Sequence, residues 1–212
     1  INVHPSLLPK YRGPNPYLET IRHQEKMSGI TFHLISEEYD AGAILLQKQI
    51  EIKPDDTGKE LKERTVLTAR SAVTELLNML ADDFIIPVDQ SEERATYYPQ
   101  ITRDDIMLDF SKSAEEISAQ IRGFYPWSKT YFSYKNRFFT PNPYELEILD
   151  NNTEFTTAGT ILDKNFQENS LTILCGDGKL LKMSKLKLYG RINRLFTSKY
   201  IKYFVDLHDL AL

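Results

Sequence analysis

Asn2 and His4 stand two residues apart at the start of the chain, and Asp40 lies in an acidic loop two residues before Gly42. On an extended strand, residues i and i+2 point to the same side, so both Asn2 and His4 can face one space. A histidine moves protons near neutral pH. A carboxylate beside it orients it and favours its charged form. An Asn amide donates hydrogen bonds to an oxygen on which negative charge develops. Together the three supply the parts for acyl-type transfer without a covalent intermediate. Spacing alone leaves a plainer reading open, in which His4 is only a polar partner at a strand end.

Placing these groups requires a strand end and a strand-end loop, where sites form in open α/β sheets. Residues 1–4 read as the end of a buried strand, so the chain is expected to be the back part of a longer protein. A Pro-rich loop spans 5–16, and 17–24 reads as a short helix. Ile30–Ile35 and Ala43–Ile52 read as strands flanking the acidic loop. Thr57 with Glu60 forms a capping box, and Leu61, Val66, Leu67, Val73, Leu76, Leu77 and Leu80 make an apolar stripe as far as Asp83. After an extended stretch, Ser113 and Glu116 cap a short helix carrying Ile117, Ile121 and Phe124. Short strands follow over 130–134, 137–140, 144–150, 157–163, 170–175 and 179–188, with turns at Lys135-Asn136, Asn151-Asn152 and Gly176–Gly178. That pattern suggests a small β-barrel, OB-like, with a last helix over 198–207.

Composition sets the outer bounds. At 212 residues, 41% apolar and 26% charged, the chain suits one large globular domain or two small ones. No apolar run approaches the roughly 20 residues of a membrane span, and no membrane partner is expected. A single cysteine, Cys175, excludes an internal disulfide framework and a Cys-rich zinc site. It has no activating neighbour in sequence. His23 and His208 lack ligand-like neighbours, and His33, among apolar strand residues, reads as a core or surface group; no metal is expected.

The run N-V-H-P-S-L-L-P-K-Y-R-G (Asn2–Gly13), followed by S-G-I-T-F-H-L-I-S-E-E-Y-D-A-G-A-I-L-L-Q (Ser28–Gln47), resembles the 10-formyltetrahydrofolate-dependent formyltransferases. The resemblance implies that Asn2, His4 and Asp40 are the catalytic trio, with protonated His4 and Asn2 stabilising the oxyanion. It also implies a folate-binding loop made of Leu34, Ile35, Ser36, Glu37, Glu38 and Asp40, acting mainly through backbone groups. Further on, A-T-Y-Y-P-Q-I (Ala95–Ile101), L-D-F (Leu108–Phe110) and I-R-G-F-Y-P-W (Ile121–Trp127) resemble the linker and C-terminal domain of the branch that formylates methionyl-tRNA. Gln100, Phe110 and Gly123 depart from that branch's usual Lys, Trp and Ala. The implied fold is α/β plus β: the second half of a Rossmann-like formyltransferase domain (1–84), an extended linker (85–102), and an OB-like tRNA-binding domain (103–212). The implied substrates are 10-formyltetrahydrofolate and methionyl-tRNA, in a cytoplasmic monomer serving translation initiation. Family members carry a longer front part, holding the first half of the sheet, part of the folate pocket and a loop toward the acceptor stem.

A second signal is charge. Lys179, Lys182, Lys185, Lys187, Arg191, Arg194, Lys199 and Lys202 put eight cations between 179 and 202 with no Asp or Glu, in a chain of net −4. Lys185 and Lys187 are expected on one strand face. A basic β-barrel face suits a phosphate backbone; a solvated surface is the plainer reading. The resemblance favours the first and makes Lys179, Lys182, Lys185, Lys187, Arg191 and Arg194 nucleic-acid contacts. Lys10 and Arg12 are left between acceptor phosphate or ribose and solvent. Trp127 reads as a packing residue. Two other readings compete: a formyltransferase for nucleotide-linked amino sugars, and a non-catalytic RNA-binding remnant. The glycinamide ribonucleotide branch shares HPSLLPKY but lacks a β-rich tail like the one after Arg103.

Overall fold

A computed structural model of the chain describes residues 1–189 and 194–212, with the side chains of 194 and 195 left undescribed. The chain forms two compact units, Ile1–Ile101 and Thr102–Leu212.

In the first unit, β1 (Asn2–His4), β2 (Met27–His33) and β3 (Ile44–Glu51) form a three-stranded sheet in that order, antiparallel throughout. The pleat divides β2 between two jobs. Ile30 and Phe32 pack with Leu45, Ala72 and Leu76, the last two from α2 (Gly58–Ala81). Gly29, Thr31 and His33 face the other side, toward the Pro-rich loop after β1. A Cβ on Gly29 would fall 2.4 Å from a Leu7 methyl and from the Lys48 carbonyl, so only glycine lets the loop lie this close. Thr31 ties the loop down. Its hydroxyl donates to the Ser6 carbonyl at 2.7 Å and accepts from the Leu8 amide at 3.2 Å and from Gln47 Nε2 at 2.9 Å.

The two helix caps expected from the sequence form, but the apolar stripe of α2 is largely exposed. Thr57 and Glu60 make the expected capping box. Of the apolar stripe of α2 only Leu61 and Leu76 are buried, joined by Ala72, whereas Val66, Leu67, Val73, Leu77 and Leu80 are exposed. A shorter helix, α1 (Pro16–Arg22), buries Leu18 and Ile21. The stretch before residue 102 has extended backbone with a short 3₁₀ turn at Glu92–Arg94, and it runs back along the first unit. Val88 exchanges backbone bonds with Ile44, and residues 96–98 bond Arg12 on both sides.

In the second unit, α3 (Ala114–Phe124) is capped by Ser113 and Glu116 and packs with two antiparallel sheets. One has the order β10 (Lys187–Leu188), β5 (Arg137–Thr140), β4 (Phe132–Tyr134). The other runs β6 (Leu146–Leu149), β9 (Leu180–Met183), β8 (Ser170–Leu174), β7 (Ile161–Asn165). Phe110, Ile117, Phe132, Phe139, Ile161, Leu171, Leu181 and Ile201 are among its core residues. The β4–β5 turn has both Lys135 and Asn136 at positive φ, the geometry of a tight type I′ hairpin. The final helix, α4 (Arg194–Phe204), begins and ends earlier than the sequence pattern suggests. The expected strand over 179–188 is interrupted. Lys185 takes φ +53 and bonds back to Glu168, so β9 and β10 belong to different sheets. Lys185 and Lys187 therefore do not share a strand face.

Thr31→Val keeps the shape of the side chain and removes all three hydroxyl bonds. We expect a loss of about 1–3 kcal/mol, because the Ser6 carbonyl and Leu8 amide lose a buried partner. Urea denaturation checks it; an unchanged midpoint contradicts the role given to Thr31.

Candidate active site

The β1–β2 register sets Asn2 opposite His33 and His4 opposite Thr31, so all four lie on the sheet face turned away from α2. The loop after β2 then brings Asp40 back over this face. The three residues singled out in the sequence thus meet, and His33, which the sequence pattern left as a core or surface group, joins them.

Asp40 Oδ1 is the meeting point. It lies 3.4 Å from His4 Nδ1, 3.5 Å from Asn2 Nδ2 and 3.7 Å from His33 Nε2. Asp40 Oδ2 accepts the Gly13 amide at 3.0 Å. Asp40 has φ +57, a left-handed backbone that aspartate tolerates better than most residues. Gln90 holds that turn, donating Nε2 to the carbonyls of Asp40 at 2.7 Å and Gly42 at 2.8 Å. Gln90 Oε1 in turn accepts from Arg12 Nε and Nη2, and Arg12 makes a two-pronged pair with Glu92 at 3.0 and 2.8 Å. Arg12 is 6% exposed, so it is a structural clamp rather than a group open to acceptor or solvent. Lys10 pairs with Glu25 at the surface.

His4 is 4% exposed, and its Nε2 lies 2.8 Å from the Tyr11 carbonyl. A carbonyl only accepts, so Nε2 carries the proton and Nδ1 is the atom that titrates. Burial pushes the imidazolium's pKa below the ordinary 6.5. The Tyr11 carbonyl and the Asp40 carboxylate oppose this without overcoming it, and His33 adds slightly to it. The imidazolium of His4, which the sequence reading expects, is thus harder to form here than on a free side chain. Its Nδ1 faces Asp40 Oδ1, which the Asn2 amide also approaches.

In the loop expected to hold folate, residues 34–39 are exposed, whereas Asp40 is half-buried. Leu34 uses its backbone internally, its amide bonding the Ala43 carbonyl and its carbonyl accepting from His33 Nδ1. The Ser36 hydroxyl donates to the Glu38 carbonyl. Glu37 and Glu38 point outward with Ile35 at 75% and Tyr39 at 83% exposure, which leaves apolar surface beside Asp40.

In the second unit the basic stretch divides. Lys179 pairs with Glu115, Lys182 with Glu147 and Glu168, and Lys185 with Glu145. Lys187 is exposed and has no ion pair among the described residues. Arg191 lies outside the described residues, and Arg194 opens α4 with its side chain undescribed. Arg137 and Lys199 line a groove of about 540 Å³ with the exposed rings of Phe138, Tyr189 and Phe204. Cys175 is buried, which pushes its thiol up to about 12 and makes it inert. Among the described residues no cluster of His, Cys, Asp and Glu is arranged to hold a metal, and no helix is long and apolar enough to cross a membrane.

Comparison with known proteins bears on this arrangement directly. Residues 1–77 match the formyl transferase model, and residues 100–193 match its C-terminal domain. The chain belongs to the formyl transferase family. It is 37% identical over 194 residues to a methionyl-tRNA formyltransferase of Enterococcus faecalis, covering 90% of this chain and 59% of that one. It is 34% identical over 196 residues to the enzyme of the same name from Thermodesulfovibrio yellowstonii, covering 90% and 63%. The chain thus spans about three fifths of the length of the curated relatives it matches. In fold it is similar to an N-formyltransferase of Helicobacter canadensis solved with folinic acid and dTDP-3-aminofucose, at TM-score 0.68 and 22% identity over 89% of this chain and 65% of that one. It also resembles HypX of Aquifex aeolicus in complex with tetrahydrofolic acid, at TM-score 0.66 and 14% identity over 99% and 38%.

Asp40, Asn2 and His4, which the sequence motifs single out, are thus brought together on one face of the sheet. Gln90 lies outside those motifs, and Arg12 and His33 lie inside them without any sign of these contacts. The only available signal for His33 was its register opposite Asn2. For Gln90→Leu we expect about 1–2 kcal/mol of destabilisation from two lost bonds to loop carbonyls, with faster amide hydrogen exchange across 40–43. Exchange unchanged there contradicts the clamp.

Proposed function

We propose that this chain carries the catalytic residues of an enzyme that moves the formyl group of 10-formyltetrahydrofolate to the amino group of methionyl-tRNA, giving formylmethionyl-tRNA for translation initiation. The single observation that carries the reading is the convergence of Asn2 and His4 on Asp40, in a family member whose relatives at 29–40% identity bear that name. In this reading residues 1–84 are the second half of a Rossmann-like formyltransferase domain, 85–102 is a linker, and 103–212 is an OB-like tRNA-binding domain of a cytoplasmic monomer.

The residues fit a folate donor. Ile35 and Tyr39 offer apolar surface to a flat ring, and the loop of Leu34, Ile35, Ser36, Glu37 and Glu38 leads straight to Asp40. His4 Nδ1 removes a proton from the acceptor amine as its lone pair bonds to the formyl carbon. Asn2 Nδ2 donates to the carbonyl oxygen as the C=O π electrons move onto it. Asp40 pairs with the imidazolium so formed. His4 then returns the proton to the departing donor nitrogen as its bond to carbon breaks and the C=O re-forms. No metal takes part in this scheme.

For RNA, the carboxylate-paired Lys179, Lys182 and Lys185 contribute less than the sequence pattern implies, since an exposed pair already spends much of each charge. Among the described residues Lys187, with Arg137 and Lys199 in the aromatic groove, is the better phosphate-binding set. A second reading, transfer to a nucleotide-linked amino sugar, draws on the similarity in fold to the Helicobacter canadensis enzyme.

The test is transfer of labelled formyl by the natural polypeptide that carries this chain, with methionyl-tRNA and a dTDP-amino sugar as competing acceptors. We expect the tRNA to be formylated and the sugar not; the reverse result overturns the assignment. The rate should rise with pH through a value below 6.5 and then level off, because the neutral form of His4 is the active base. A rate that falls through that range contradicts this role. Lys187→Glu should weaken tRNA binding and flatten its salt dependence by about one counterion, and more than Lys182→Glu does. Equal effects contradict the division of charge.

A further inference from the structure

His33 is 2% exposed and takes no proton in the scheme above, yet it touches Asn2 directly. We propose that His33 is the positioning residue for Asn2: held as the Nδ1–H tautomer by the Leu34 carbonyl, it fixes one N–H of the Asn2 amide and so aims the other at the oxygen of the reacting group. The inference rests on the reading of Asn2 as an oxyanion donor.

The argument runs outward from the backbone. His33 Nδ1 lies 2.8 Å from the Leu34 carbonyl, which only accepts, so Nδ1 carries the ring proton. A neutral ring then leaves a lone pair on Nε2. That lone pair is buried and needs a donor, and the Asn2 amide supplies Nδ2–H at 3.2 Å. The amide is thereby oriented with its nitrogen inward. Its second N–H diverges toward Asp40 Oδ1 at 3.5 Å, a long contact that a better acceptor displaces. Without His33 the amide is free to turn, since an Asn side chain has a broad and nearly two-fold χ2 preference.

The carbonyl that sets the tautomer is itself fixed. The Leu34 amide bonds the Ala43 carbonyl at 2.9 Å. A Cβ on Gly42 would fall 1.8 Å from the Leu34 oxygen, so only glycine leaves that carbonyl where His33 meets it. The two histidines of the site are therefore opposite tautomers, each dictated by one backbone carbonyl: Nε2–H in His4 through Tyr11, and Nδ1–H in His33 through Leu34.

The test joins spectroscopy to kinetics. Ring-nitrogen NMR of the natural polypeptide at neutral pH should show a histidine with a protonated Nδ1 and a bare Nε2 that His33→Gln removes, distinct from His23, whose Nδ1 faces the Glu19 carbonyl in the same way and whose signal stays. In the natural polypeptide, His33→Leu should lower kcat about 10²-fold, the scale of a small misplacement of a reacting group, with KM for the folate donor little changed. His33→Gln places an amide oxygen near the position of Nε2 and should recover most of the loss. An Nε2–H tautomer at His33, or equal activity of the Leu and Gln variants, overturns the proposal. If the wild-type polypeptide transfers formyl to neither acceptor, the proposed activity fails, and the NMR result still decides the His33 tautomer: an Nε2–H ring overturns the positioning of Asn2 all the same.

Discussion

One carboxylate oxygen organises the first unit. Asp40 Oδ1 stands within 3.7 Å of a nitrogen from each of Asn2, His4 and His33. Bringing it there requires a non-glycine residue in a left-handed backbone, which costs on the order of 1–3 kcal/mol. The cost is met by groups whose other links are structural. Gly13 donates to the second carboxylate oxygen, and Gln90 grips the carbonyls on both sides of the turn. Arg12 then fixes Gln90, and Glu92 fixes Arg12. A stretch that reads as a linker thus forms the outer wall of the site.

Burial decides what these groups can do. A carboxylate beside an imidazole ordinarily favours its charged form, but removing His4 from water outweighs that attraction and lowers the imidazolium's pKa below its ordinary value. In the transfer we propose, Asp40 stabilises the cation that forms when His4 takes a proton, as a base that must return its proton requires. Backbone carbonyls supply the rest of the precision. They sit on the strand end and the adjoining loop, so the tautomers of His4 and His33 follow from the fold rather than from one another.

Much of the site was legible in the sequence, because a strand-end Asn-x-His and a following Asp-x-Gly mark residue types whose side-chain chemistry is local. The partnership of His33 was not, since it depends on antiparallel register and not on spacing along the chain. Arg12 and Gln90 are 78 residues apart, and no periodicity announces their contact. In the second unit the hairpin at Lys135-Asn136 was readable from turn chemistry. The break at Lys185 was not, because a lysine carries no sign of a left-handed backbone. The ion pairs of Lys179, Lys182 and Lys185 also escaped a charge count, because their partners lie on distant segments.

The most direct measurement is single-turnover formyl transfer by Asp40→Asn in the natural polypeptide. The substitution keeps the shape of the side chain and removes the charge that stabilises His4 after it takes a proton. The account predicts a rate at least about 10²-fold below wild type, with the fold intact by urea denaturation. A rate close to wild type would contradict it.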